Sequence, residues 1–200
     1  MKRILNWVVA LTVVVAGTAH ANDVYQIDPA HTTVGFSITH MVINTVHGRF
    51  KDLTGSIALD PDATNAVVEA SATIQATSID TGVDKRDNHL RSADFFDVAK
   101  FPTITFTTKR VDKQGGQQLL VGDFTMHGVT KEISLPITVK GPIKDPMGKT
   151  RIGIEVNATL ARKDYGISWN KTMDAGGLML GEDVGIQINA EAVKQAAEKK

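Results

Sequence analysis

The 200-residue sequence contains no cysteine. Disulfides, zinc–thiolate sites and cysteine nucleophiles are therefore excluded outright. An oxidising compartment permits disulfides without requiring them, and a chain of this length can stabilise itself by burial alone. An excess of one charge is also missing, since 22 basic residues balance 22 acidic ones. A nucleic-acid footprint needs a basic excess gathered on one face, so no nucleic-acid partner is expected. Long apolar runs are absent too: the stretch from Val8 to Ala16 falls short of the ~20 residues a membrane-spanning helix needs. Catalytic spacings are equally scarce. There is no G-x-S-x-G elbow, no H-E-x-x-H pair and no glycine-rich phosphate loop ahead of a helix.

What is present begins with a leader. Lys2 and Arg3 precede the short apolar run, and Ala19-His20-Ala21 closes it with an A-x-A exit. This is the pattern of a secretory signal peptide over residues 1–21, cleaved after Ala21; an uncleaved anchor is the alternative. No cysteine follows the exit, so a lipid-anchored form is not expected. The exported part, 22–200, carries no linker, low-complexity tract or repeat and reads as one soluble domain with a slight acidic excess.

Period-two alternation dominates that domain. Ile152, Ile154, Val156, Ala158 and Leu160 alternate with Gly153, Glu155, Asn157 and Thr159, and Val184, Ile186, Ile188 and Ala190 repeat the pattern. Such alternation predicts half-buried strands. Turn residues at Asp60-Pro61-Asp62, Gly115-Gly116, Gly141-Pro142 and Asp145-Pro146-Met147-Gly148 separate them. The strands fall near 25–28, 32–40, 47–59, 66–76, 103–112, 117–127, 131–141, 150–163 and 184–192. With short connections they should pair antiparallel, and closure into an up-and-down, lipocalin-like barrel of about eight strands removes exposed edges. A two-sheet sandwich is the alternative. The tail from Val193 to Lys200 reads as a short helical or frayed end.

Two segments break the alternation. One is a charged, helix-compatible island at 84–97, where Asp87 and Arg91 sit four apart and could pair on one helical face. The other, Tyr165 to Gly181, holds Trp169, Met173, Met179 and Gly176-Gly177, and a loop of that length is usually a lid or a binding loop. The island has two readings. Asp87, Arg91 and Asp94 could pair with one another while Leu90, Phe95 and Phe96 plug a barrel end. Alternatively Asn88, His89 and Arg91 could face the opening and hold a polar head, for which a planar guanidinium is suited.

An eight-stranded barrel is wide enough either to be filled by side chains or to hold one small ligand. Aromatics are few, with seven Phe, two Tyr and, past the leader, Trp169 alone. Small residues such as those of Val67 to Thr73 leave volume, although large facing residues could fill it. Composition leaves both readings open. The histidines His31, His40, His47, His89 and His127 lack regular ligand spacing, so no metal site is expected, although strands could converge three of them in space. His47-Gly48 and His127-Gly128 fit bulges or barrel corners.

The wording RDNHLRSADFFDVAKFPTITF from Arg86 to Phe106 resembles the signature of the YceI-like family of periplasmic lipid-binding barrels. Further blocks match along nearly the whole exported chain: Tyr25 to Thr32, Phe36 to His40 with Gly48-Arg49-Phe50, Gly128 to Ile133, Arg162 to Gly166 and Gly181 to Val184. Tyr165 stands where the family often carries Phe. The resemblance implies an exported, periplasmic carrier or reservoir that is not an enzyme and needs no cofactor. It would hold a polyisoprenoid, an isoprenoid quinone or a precursor in an apolar tunnel, with transient membrane contact and homodimerisation compatible with that role. On this reading Phe36, Ile38, Phe50, Ile57, Phe106, Phe124, Met126 and Trp169 line the tunnel. Asn88, His89 and Arg91 stand at the mouth, and the 165–181 loop is the gate. A lipid-head-modifying enzyme and a stress-related factor acting through a protein partner are the alternatives.

Overall fold

In a computed structural model of the chain, residues 21–174 and 176–196 are described. The expected leader (1–21) therefore lies almost wholly outside them, as does the end of the C-terminal tail.

Among the described residues, ten strands form one antiparallel sheet: β1 (Asp23–His40), β2 (Asn44–Phe50), β3 (Leu53–Leu59), β4 (Val67–Gln75), β5 (Ile79–Asp80), β6 (Thr103–Gln114), β7 (Gln117–Met126), β8 (Val129–Lys144), β9 (Thr150–Ala161) and β10 (Leu180–Lys194). Each long strand pairs with its neighbour, and β10 returns to β1 along Val34↔Ile188 and Phe36↔Ile186, so the sheet closes. β2 and β3 share one position in the ring. β2 pairs with the second half of β1 (Val34↔Phe50) and β3 with the first half (Gln26↔Ser56). The result is a closed eight-position barrel, and closure leaves almost no free edge.

Local chemistry explains the corners. Gln114 and Gln117 pair across a two-residue turn whose Gly115 and Gly116 have φ of 57° and 84°. His127-Gly128, with φ of 52° and 76°, makes the same kind of turn between Met126 and Val129. Positive φ at both central residues matches the right-handed twist of a hairpin.

The strand boundaries differ from expectation in four places, the first being that the piece expected at 47–59 is broken after Phe50 into β2 and β3. The pieces at 25–28 and 32–40 are one strand, because a bulge between Asp28 and Thr33 absorbs Pro29 without ending the ladder. Val193 and Lys194 continue β10 instead of beginning a helix or frayed end, held by the pairs Val193↔Gln26 and Lys194↔Tyr25. The two-residue β5, which no periodicity could announce, pairs with β2.

The island forms one helix, α1 (Asp84–Arg91), whose first turn carries Asp84 and Asp87 where the helix dipole favours them. Residues 92–98 then fold back on it through Phe96 N–H to Leu90 O and Val98 N–H to Arg91 O. Phe95 is buried beneath this turn and belongs to the same buried cluster as Phe50, Ile79, Ile104 and Ile167.

Side chains fill the two ends of the barrel differently. Around one end, Tyr25, Leu59, Val67, Val139, Ile152 and Ala192 are all buried in one cluster. The other end, under α1 and the segment after β9, is framed by a second cluster that includes Val34, Phe50, Met126 and Tyr165.

Candidate functional site

The barrel is hollow over the part the first cluster does not fill. A cavity of about 540 Å³ runs through it, inside the ~300–1,000 Å³ range of single-ligand pockets. Tyr25, Leu59, Val67, Val139, Ile152 and Ala192 are not part of its wall, so the packed end forms a floor. At the opposite end the wall includes half-buried His40 and Met179 and exposed Asn44, so the cavity opens there, beside the β1–β2 hairpin. Neither reading of the interior holds throughout: one end is packed and the rest is open.

All eight residues expected along a tunnel lie in this wall. Ile57 and Phe106 lie deep, next to the floor cluster, with Phe124 packed against them. Phe36, Phe50, Met126 and Trp169 belong to the upper cluster, with Ile38 nearer the opening. Phe36, Phe50 and Phe96 form a chain of rings with centroids 5.7 Å apart at each step. Gly48 makes room for this arrangement, because a Cβ there would stand 2.3 Å from Phe36 Cζ. Small residues on β4, Ala70 and Ala72, leave the middle of the barrel open.

The mouth is organised differently from expectation. Of Asn88, His89 and Arg91, only His89 lines the cavity. Arg91 is spent on the scaffold: it donates from Nε to Thr77 O (2.8 Å), from Nη2 to Ile79 O (2.6 Å) and from Nη1 to Asn88 Oδ1 (3.2 Å). These bonds pin α1 to the segment before it, and Asn88 is drawn into the same task. The expected Asp87–Arg91 pair does not form. Asp87, only 5% exposed, instead accepts from the backbone N–H and hydroxyl of Thr81. Asp94 bonds His89 Nε2 at 2.8 Å. His89 and Phe95 stand against Trp169 with ring centroids 4.9 and 5.1 Å away.

Three polar residues in the wall near this end, Thr81, Arg86 and Arg162, went unnoticed as site residues in the sequence. Arg86 is held by Thr81, donating to its hydroxyl (2.7 Å) and its carbonyl (2.9 Å). Arg162 is 3% exposed and donates to the carbonyls of Gly181 (2.9 Å), Ile167 (2.9 Å) and Trp169 (2.8 Å). It thereby ties together the two ends of the 166–181 segment. Burial pushes its guanidinium pKa down, and the negative charge of Glu182 acts against that shift. The signal was available in β9: alternation through Ile154, Val156 and Leu160, all in the wall, sends the side chain of position 162 inward.

Among the described residues, one grouping could offer a metal three ligands: Asp28, His31 and Glu191. Arg151 Nη1 already bonds Asp28 (2.7 Å) and Glu191 (3.2 Å), so a cation occupies the carboxylates.

Comparison with known proteins agrees with this architecture. A YceI-like domain model matches residues 25–192. A UPF0312 protein of Staphylococcus aureus is 38% identical over 169 residues, covering 84% of this chain and 95% of its own. The Campylobacter jejuni YCEI protein, known from crystal structures, is 31% identical with a TM-score of 0.67, covering 79% of this chain and 90% of its own. A polyisoprenoid binding domain from Saccharophagus degradans, implicated in plant cell wall breakdown, superposes with a TM-score of 0.63 over 86% of this chain and 98% of its own. Its 20% identity shows the fold alone.

Proposed function

The chain belongs to the YceI-like family, and we propose that it is an exported, periplasmic carrier or reservoir for one long apolar lipid, of polyisoprenoid or isoprenoid-quinone type. The observation that carries the reading is the cavity: about 540 Å³, floored by a packed cluster, open at one end and walled almost wholly by aliphatic and aromatic side chains. Each CH₂ moved from water into such a wall gains roughly 0.8 kcal/mol, so a long tail is retained without polar contacts. The Saccharophagus degradans neighbour is a polyisoprenoid binding domain, which supports the polyisoprenoid class. The leader pattern supports export. Catalysis is not part of the reading, because the mouth residues hold one another and the backbone in place.

Access from a membrane is part of the proposal. The β1–β2 hairpin beside the opening presents Val42 and Ile43, which are 73% and 85% exposed. Inserting two apolar side chains into a bilayer surface would bring the mouth to the lipid. Replacing both by Asp should slow uptake from vesicles while leaving equilibrium affinity in detergent unchanged; uptake at the unaltered rate would reject a docking role.

The test of the main reading is mass spectrometry of an organic extract of the protein purified from its native compartment. A stoichiometric isoprenoid lipid is the expected result. A clean extract, together with no uptake of such lipids by the purified protein, would overturn the carrier reading.

A further inference from the structure

Arg162 has a donor left over. Its Nε and Nη1 serve the carbonyls of Gly181, Ile167 and Trp169, whereas Nη2 is buried and has no hydrogen-bond partner. No carboxylate among the described residues bonds the guanidinium. Glu182, the carboxylate whose charge reaches Arg162, is paired with Lys163 at the surface, and Asp164, two residues away in sequence, is paired with Lys131. A cation only 3% exposed is thus held by three neutral carbonyls, in the wall of a largely apolar cavity.

Such an arrangement is costly when empty, because a buried donor without a partner has lost its water and gained nothing. Arg91 and Arg86, in contrast, place their guanidinium groups on the scaffold. Position matters as well. β9 runs from the packed floor at Ile152 towards the open end at Leu160, and Arg162 follows directly. A ligand whose tail lies among Phe106, Phe124 and Ile57 would bring its head to this level.

We propose that Arg162 Nη2 is the anchor for an oxyanion on the head of the bound lipid, so that the protein selects chains ending in a carboxylate or phosphate over uncharged chains of equal length. The inference rests on the carrier reading, narrows its ligand from quinones, which carry no oxyanion, to polyisoprenoids that end in one, and adds a tail-inward orientation. A planar guanidinium donates charge-assisted hydrogen bonds to such oxygens, and these are the stronger kind. The three backbone bonds fix the fork in advance, so little order is lost when the ligand arrives.

The test compares geranylgeraniol, geranylgeranoic acid and geranylgeranyl phosphate on the lipid-stripped protein, read by Trp169 fluorescence. The acid, the phosphate or both should bind at least about tenfold tighter than the alcohol, a difference of about 1.4 kcal/mol; which of them does so identifies the source of the oxyanion. Arg162→Gln should remove the preference among the three heads. Because that variant also loosens the 166–181 segment, a second readout uses the unaltered protein. The guanidinium ¹⁵N signals of Arg162 should shift with the acid and not with the alcohol. Equal affinity for all three ligands, or an unmoved Arg162 signal, would overturn the anchor while leaving the carrier reading standing. Binding of none of them would overturn the carrier reading, and the anchor with it.

Discussion

Ala72→Phe distinguishes a hollow barrel from a filled one by the sign of its effect. Ala72 lies in β4, in the cavity wall, paired with Gly55 on one side and Phe106 on the other. Gly55 offers no side chain on that flank, so a phenyl ring introduced at this position can lie over it. Phe buries about 150–250 Å² in all. Taking roughly 100 Å² of that as new burial over alanine, at about 25 cal/mol per Å², the gain is ~2.5 kcal/mol. In a filled core the same substitution would cost about 1–3 kcal/mol through displaced neighbours. For a domain of this size each kcal/mol moves the Tm by about 2–4 °C.

The empty Ala72→Phe variant should therefore melt roughly 5–10 °C above the unaltered protein, and the same ring should occupy ligand volume and weaken lipid uptake. Calorimetry on lipid-stripped protein measures the first effect. Trp169 measures the second, since its ring lines the cavity between His89 and Phe95. A fall in Tm of several degrees, with uptake unchanged, would refute the argument that space exists beside Ala72.

Three further outcomes follow from the same geometry. Gly122→Ala would place a Cβ 2.2 Å from Thr107 O, so β6 and β7 must separate locally at a cost of about 1–3 kcal/mol or more; Gly153→Ala, whose Cβ would meet nothing nearer than Lys140 Cβ at 3.7 Å, should be tolerated, and equal denaturation midpoints for the two would contradict this. Arg91→Met should destabilise by about 1–3 kcal/mol by orphaning the carbonyls of Thr77 and Ile79, without altering the ranking of lipid heads; a changed ranking would restore Arg91 to the mouth. Asp28 has its carboxyl pKa lowered to about 2, first by its bond to Arg151 and then by His31. A depressed carboxylate stabilises the fold above its unfolded pKa and loses that contribution as pH falls through the folded value, here between about pH 4 and pH 2. Asp28→Asn should flatten that part of the acid-unfolding curve, and an unchanged acid limb would show that the pair contributes nothing there.

The barrel was legible because alternation survives wherever one face is buried and the other wet, as in Ile152, Ile154 and Val156 of β9. The strand read at 25–28 stopped before Pro29, and a proline does remove a ladder donor; in the folded sheet β1 continues past it, since a bulge between Asp28 and Thr33 needs no donor at that position. The wall residues were legible only as candidates, because period two fixes alternation and leaves open which face is inward. The mouth was not legible. Arg91 and Arg162 are alike in sequence, and only the carbonyls that approach each of them decide what remains free. Those carbonyls belong to Thr77, Ile79, Ile167, Trp169 and Gly181, residues whose positions depend on the closed fold and carry no side-chain signature.

The proposed carrier would have to stay folded when empty, and the uneven filling of the barrel meets that requirement. Tyr25, Leu59, Val67, Val139, Ile152 and Ala192 bury one another whether or not a ligand is present. The strands that carry them are the same strands that continue into the hollow region, so the floor sets their register from one end. Ligand binding then adds stability only through occupancy, by RT ln(1 + [L]/Kd), and most directly at the open end where its contacts lie. The 166–181 segment is tied to that end through the Arg162 carbonyl bonds and Trp169. On the gate reading, opening it would expose the cavity without disturbing the floor cluster. Retention and release can thus be set at the mouth while the rest of the barrel remains closed.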